Sequence, residues 1–97
     1  MWVLIVTVEL PAGVSPGDLD QLRQGLEAEV IPGASSLPGF QRGSWMAHES
    51  MVTGLSVLVF DTEESARAAR GSVEVGAPAG VGATISGLDL YAVVAEA

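Results

Sequence analysis

His48 is the only histidine in the chain, and so the only side chain whose ordinary pKa lies near neutrality. Trp45 precedes it by three residues, and the only tyrosine is Tyr91. These residue types suit acid–base work on a flat aromatic molecule. His48 would serve as general acid or base, Trp45 as a stacking surface, and Tyr91 as proton donor to a substrate oxygen. Arg42 is the only cation inside a strand-like segment and suits a carboxylate or an enolate. Phe60, closing an apolar run, joins Arg42 and Trp45 as a candidate for substrate contact. Each has a plainer alternative: His48 an exposed hairpin residue, Trp45 core or subunit packing, Tyr91 a residue on the sheet surface. Arg42 would then be an ion-pair partner of Glu9, Glu49 or an acid of a second subunit. Glu49 adjoins His48, but adjacent strand residues point to opposite faces, so it is poorly placed to orient the ring.

No other constellation carries chemistry. One histidine and no cysteine give no metal-ligand set, no disulfide framework and no thiolate nucleophile. No metal and no cofactor are expected. The segment Gly76–Gly82 is rich in glycine but lacks the Lys-Ser/Thr and the helix start of a phosphate loop, and reads as a plain loop. The acids gather at helix starts and on polar faces, where they act as caps and solubilising charge.

The composition sets the frame for these residues. The chain has 97 residues, which is one domain, spanning 1–97. Four arginines stand against twelve acids, a net charge of −8, with no lysine. That leaves no electrostatic footprint for nucleic acid or for anionic lipid. A hydrophobic share of 48% is too high for disorder. The longest stretch without a charged residue, Val75–Leu88, carries five Gly or Pro and cannot span a bilayer as a helix. The apolar N-terminus lacks the basic residues and cleavage site of a signal peptide and reads as a buried strand, so a cytoplasmic location is expected.

The elements follow from periodicity and punctuation. Trp2–Leu10 is a strand apolar on both faces, ended by Pro11-Ala12-Gly13. Ser15 caps a helix with Pro16 at its first position and Asp18 where a capping-box acid belongs. Leu19, Leu22, Leu26 and Val30 make its apolar stripe, and Pro32-Gly33 stops it. A loop at Ala34–Gly39 leads to a more polar strand, Phe40–His48. A hairpin over His48–Gly54 then precedes a third strand, Leu55–Phe60, again apolar on both faces. Asp61 or Thr62 caps a second helix, Thr62–Arg70, in which Glu63 and Arg67 pair and Ala66, Ala69 and Val73 form a narrow stripe. The fourth strand covers about Thr84–Ala95, with Gly87 marking a bend or bulge.

The order is β-α-β-β-α-β, the ferredoxin-like unit of the α+β class. Right-handed crossovers place the first and third strands in the centre of a four-stranded antiparallel sheet, with both helices on one face. The other face is too apolar for water. A homodimer, pairing sheet against sheet, is the simplest cover.

With this order in place, the chain resembles the dimeric α+β-barrel superfamily, in particular its small antibiotic-biosynthesis-monooxygenase-like proteins. The resemblance rests on Pro38-Gly39-Phe40-Gln41-Arg42-Gly43-Ser44-Trp45 at the second strand, and on Gly54-Leu55-Ser56-Val57-Leu58-Val59-Phe60-Asp61-Thr62-Glu63-Glu64-Ser65-Ala66-Arg67-Ala68-Ala69 from the third strand into the second helix. It implies a homodimeric barrel with a pocket between sheet and helices in each protomer. The quinone-forming enzymes of the superfamily line that pocket with an Asn, a Trp and a Tyr; this chain has Trp45 and Tyr91 but no Asn. Its heme-degrading branch binds iron through a histidine on the second helix, which is absent from Thr62–Arg70.

Two functions are therefore expected. One is a non-catalytic homodimer that binds a small ligand, such as an aromatic molecule, or stabilises a partner, favoured by the poverty of titratable groups. The other is a cofactor-independent monooxygenase-like enzyme acting on an aromatic or polyketide-like substrate, in which His48, Trp45 and Tyr91 would do the work.

Overall fold

The computed structural model describes residues 1–97. Trp2–Glu9 forms β1, Phe40–Ala47 β2, Thr53–Phe60 β3, Pro78–Gly80 β4 and Ala83–Ala92 β5. They make one antiparallel sheet in the order β2-β3-β1-β5-β4. The two strands apolar on both faces, β1 and β3, are neighbours in its interior, as their composition demands. The fold is ferredoxin-like α+β, with one strand more than expected. The addition is β4, three residues inside the glycine-rich segment read as a loop; it pairs with the start of β5. The last long strand is therefore flanked on both sides at its beginning instead of forming a free edge.

Three helices, α1 (Leu19–Glu29), α2 (Ile31–Ser35) and α3 (Glu63–Gly71), complete the chain. Before α1, Asp18 accepts from the Ser15 backbone N–H at 2.9 Å and from its hydroxyl at 3.1 Å, the capping box that the spacing predicts. Pro32-Gly33 does not end helical structure. The chain bends at Val30 (φ −112°) and resumes as α2, with Pro32 in its first turn, where a missing N–H leaves no bond unmade. The irregular segment before β2 thus starts at Ser36 instead of Ala34. No helix is long and apolar enough to cross a membrane.

The core lies between the sheet and α3. Thr62 accepts from Ser65 N at 3.1 Å to start this helix, and Glu63 pairs with Arg67 at 2.8 Å on its exposed side. Ala66 and Ala69 are buried and bring α3 close to Leu4, Leu58 and Phe60, with Leu4 and Phe60 the most enclosed side chains. Phe60 meets Phe40 edge to face, with ring centroids 6.1 Å apart. Trp2 lies against the same helix, under the Arg67 guanidinium at 5.8 Å.

The chain leaves the sheet at Ala92, not Ala95. Beyond it Val93 N still donates to the Met1 carbonyl at 2.9 Å, and Glu96 reaches Arg42 on the far strand β2 at 3.6 Å. The acid that Arg42 meets is thus neither Glu9 nor Glu49.

The Pro38-Gly39-Phe40 lead-in to β2 has a steric reason. Gly39 has φ +76°, and its carbonyl accepts from Asp61 N at 3.0 Å. A Cβ there would collide with the Asp61 carboxylate and the Ser65 side chain at the start of α3. Gly39→Ala is expected to lower stability by about 2 kcal/mol through strain and this collision; urea unfolding followed by circular dichroism measures it.

Candidate functional site

Two bulges decide which side chains share a face. In β2, Phe40 pairs with Phe60 and Arg42 with Val59, so Gln41 is an extra residue. Beyond it the alternation has shifted, and Gly43, Trp45 and Ala47 lie on the helix face together with Phe40. Arg42, Ser44 and Met46 lie on the open face. In β5, Thr7 faces Gly87 and Val8 faces Ile85, which makes Ser86 the extra residue beside the glycine expected to mark a bulge. Ala83 and Ile85 thereby join Leu88 and Leu90 on the helix side.

Only half of that side is tightly covered. α3 sits on it through alanine methyls, whereas α1 has no buried residue and stands off. Between α1 and the sheet runs an apolar cleft of about 630 Å³. Leu19, Leu22 and Leu26 form its roof, Trp45 and Val8 its floor, and Ile31, Ala79 and Val81 its ends. The leucine stripe of α1 thus lines a cavity instead of a closed core. Trp45 is half-buried, and its ring folds back over Gly43, where a Cβ would stand 2.8 Å from Trp45 Cη2. The polar side chains turned toward the cleft are few: the Trp45 indole N–H, Ser56 and Arg23. Arg23 is bound at 2.7 Å to Asp20 and at 3.2 Å to Glu27, on the exposed side of α1. The hydrogen bond to Asp20, then its charge, then Glu27, hold this guanidinium above its ordinary pKa, so it stays a cation.

The sequence-derived candidates do not form one site within the chain. Trp45 lines the cleft. Phe60 shares its face but is fully buried against Phe40 and α3. Arg42 and Tyr91 occupy the open face, in one row with Val59 and Val3, and Tyr91 is 56% exposed. His48 lies beyond the end of β2 in an exposed turn. Its Nδ1 is 2.9 Å from Ser50 Oγ and accepts from Ser50 N at 3.0 Å, so Ser50, not Glu49, orients the ring. His48 and Tyr91 are both outside the cleft lining.

Sequence reasoning missed Arg23 and Val81. Arg23 sits on what reads as the solvent face of an amphipathic helix. Val81 sits in a glycine-rich segment with no periodicity. The only available signal was Gly25, an otherwise costly helix residue; a Cβ there would stand 2.7 Å from Val81 Cγ1.

The placement of Trp45 is testable. In a Trp2→Phe background, where Trp45 alone emits, Gly43→Val is expected to push the indole toward solvent and shift its fluorescence to longer wavelength. An unchanged spectrum would refute the stacked geometry.

No protein-family model matches the chain, and no curated protein matches its sequence. Solved structures do. The heme-degrader MhuD from Mycobacterium tuberculosis, with two hemes bound in its active site, aligns with a TM-score of 0.60 at 20% identity, covering 100% of this chain and 99% of that one. A mutant of MhuD with two manganese protoporphyrin IX bound per active site aligns with the same TM-score and identity, over 100% and 98% of the two chains.

A protein-ligated heme iron does not fit the donor set of this cleft. Such an iron takes a His, Cys, Met or Tyr side chain. The chain has no cysteine, α3 carries no histidine, and His48 and Tyr91 lie outside the cleft. Met46 borders the cleft, but strand alternation turns its side chain to the open face, and Met1 and Met51 lie outside the lining. No group of three or more metal-ligating side chains occurs anywhere in the chain. What the likeness shows is the architecture: this chain has a ferredoxin-like α+β fold, shared with those structures along its whole length.

Proposed function

We propose that the protein binds a small, flat, largely apolar molecule in the cleft beneath α1, and does so as a homodimer joined through the open sheet face. The observation that carries the reading is the cleft itself: the side chains that line it from the helix side of the sheet and from α1 are almost all hydrophobic, and an indole forms part of its floor. Apolar concavities with a few placed polar groups are the usual form of small-molecule sites. The hemes bound by MhuD in a protein of the same architecture support a flat occupant.

The lining offers Arg23 and the Trp45 N–H for orientation, and no carboxylate, histidine or tyrosine. A substrate bound there would meet no side chain able to take up a proton near neutral pH. This favours binding over oxygenase chemistry.

Anthraquinone serves as a probe. In the Trp2→Phe protein it is expected to quench Trp45 fluorescence saturably. Trp45→Ala, read by equilibrium dialysis, is expected to weaken binding on the order of tenfold, about 1.4 kcal/mol. His48→Ala and Tyr91→Phe are expected to leave the affinity unchanged. Absence of saturable quenching would refute the reading.

The dimer rests on the face opposite the helices. Val3, Ile5, Val57, Met46 and Leu55 lie there with only part of their surface covered, and Met46 and Leu55 are 49% and 38% exposed. Such a contiguous apolar surface favours association. Light scattering is expected to give twice the 9.9 kDa chain mass. Val57→Asp, which sets a charge between Ile5 and Ser44, is expected to give the monomer. A monomeric unsubstituted protein would refute the dimer.

A further inference from the structure

The space beneath α1 continues beyond the cleft. A second hollow of about 360 Å³ lies on the other side of Leu22 and Val81, and these two residues border both spaces. The outer hollow is bounded by the segment Ala12–Val14 and by Asp18, Gln21 and Gly25. Leu22 belongs to the helix. Val81 belongs to the turn between β4 and β5 and is held in an unusual way.

Three features fix Val81 in place. Its φ is +51°, between Gly80 at +86° and Gly82 at +79°. A β-branched residue disfavours this region and occupies it only where its surroundings impose it. The Val81 N–H donates to the Glu29 carboxylate at 3.1 Å, across 52 residues of chain. The Val81 side chain fills the notch left by Gly25, and Gly80 accepts Val30 against its own bare Cα. The turn is therefore pinned to α1 at the point where the two hollows meet.

We propose that Val81 is a partition that sets the length of ligand the cleft admits, and that Glu29 is the latch holding it. The inference rests on the ligand-binding reading given above. With Val81 in place, a flat apolar molecule ends at its side chain. Without that side chain, the cleft runs on into the outer hollow and accepts an apolar tail.

Val81→Gly is the natural test, because glycine adopts the observed backbone without strain and the fold should be retained. The probes are alkylanthraquinones of increasing chain length. The unsubstituted protein is expected to show an affinity that stops rising at a short tail. Relative to its own affinity for the parent anthraquinone, Val81→Gly is expected to gain about fourfold per added methylene beyond that limit. The same cutoff in both proteins would overturn the proposal.

A second measurement needs no ligand. Amide hydrogen exchange at Val81 is expected to accelerate at least about tenfold in Glu29→Leu, while exchange in β1 stays unchanged. Equal exchange at Val81 in both proteins would overturn the latch even if no anthraquinone binds. Failure of every probe with an intact latch would instead refute the binding reading.

Discussion

The Ala66 and Ala69 methyls let α3 lie directly on β1, β3 and β5, and this close seat determines how the rest of the helix layer is used. A helix carrying alanines approaches a sheet more closely than one carrying leucines can. Leu4, Leu58 and Phe60 fill the space beneath it completely. The second helix then has to cover the remaining half with a leucine stripe, at a greater distance and without a buried residue of its own. The gap between a seated helix and a standing one is the cleft. It is a product of side-chain size at the two interfaces, not a defect of packing.

The cleft persists because α1 is tethered at its ends instead of along its length. Its N-terminus is closed by the Ser15–Asp18 pair, and its C-terminus continues through Val30 into α2, against the start of β2. Near that end, Glu29 and Gly25 hold the β4–β5 turn. The left-handed Val81 is a conformation that costs on the order of 1–3 kcal/mol. Its Glu29 hydrogen bond and the Gly25 notch are the contacts on hand to offset it. Strain at one residue and a missing Cβ at another thus belong to one device, the attachment of a helix that the sheet itself does not grip.

Most of the fold was legible in the chain. Continuous apolar runs marked β1 and β3 as interior strands, and the Ser15-Pro16-Gly17-Asp18 and Thr62-Glu63-Glu64 segments marked both long helices. The site was less legible, for a reason rooted in the two-residue period of strands. Unbroken alternation from Phe40 sets Phe40 and Trp45 on opposite faces. The extra Gln41 shifts the register and puts them on one. No residue type at Gln41 signals this shift; it follows from pairing with β3. Proximity in sequence therefore suggested a Trp45–His48 site, whereas the strand ends at Ala47 and the histidine turns away with the hairpin.

The division of the sheet into a helix face and an open face also divides the chemistry. The ionisable side chains of the strands, Arg42, Tyr91, Asp89 and Glu9, share the open face, where Glu96 already meets Arg42. The indole shares the helix face with aliphatic side chains. A molecule in the cleft is thus recognised by shape and by contact area, since desolvated polar partners are nearly lacking there. Selectivity in such a site has to come from its walls. One wall is rigid sheet, one is a helix held at its ends, and the third is the side chain of Val81 on a turn pinned to that helix. Of these, only the last is a single residue whose size can change without disturbing a strand or a helix, which makes it the place where the length of the cleft is set.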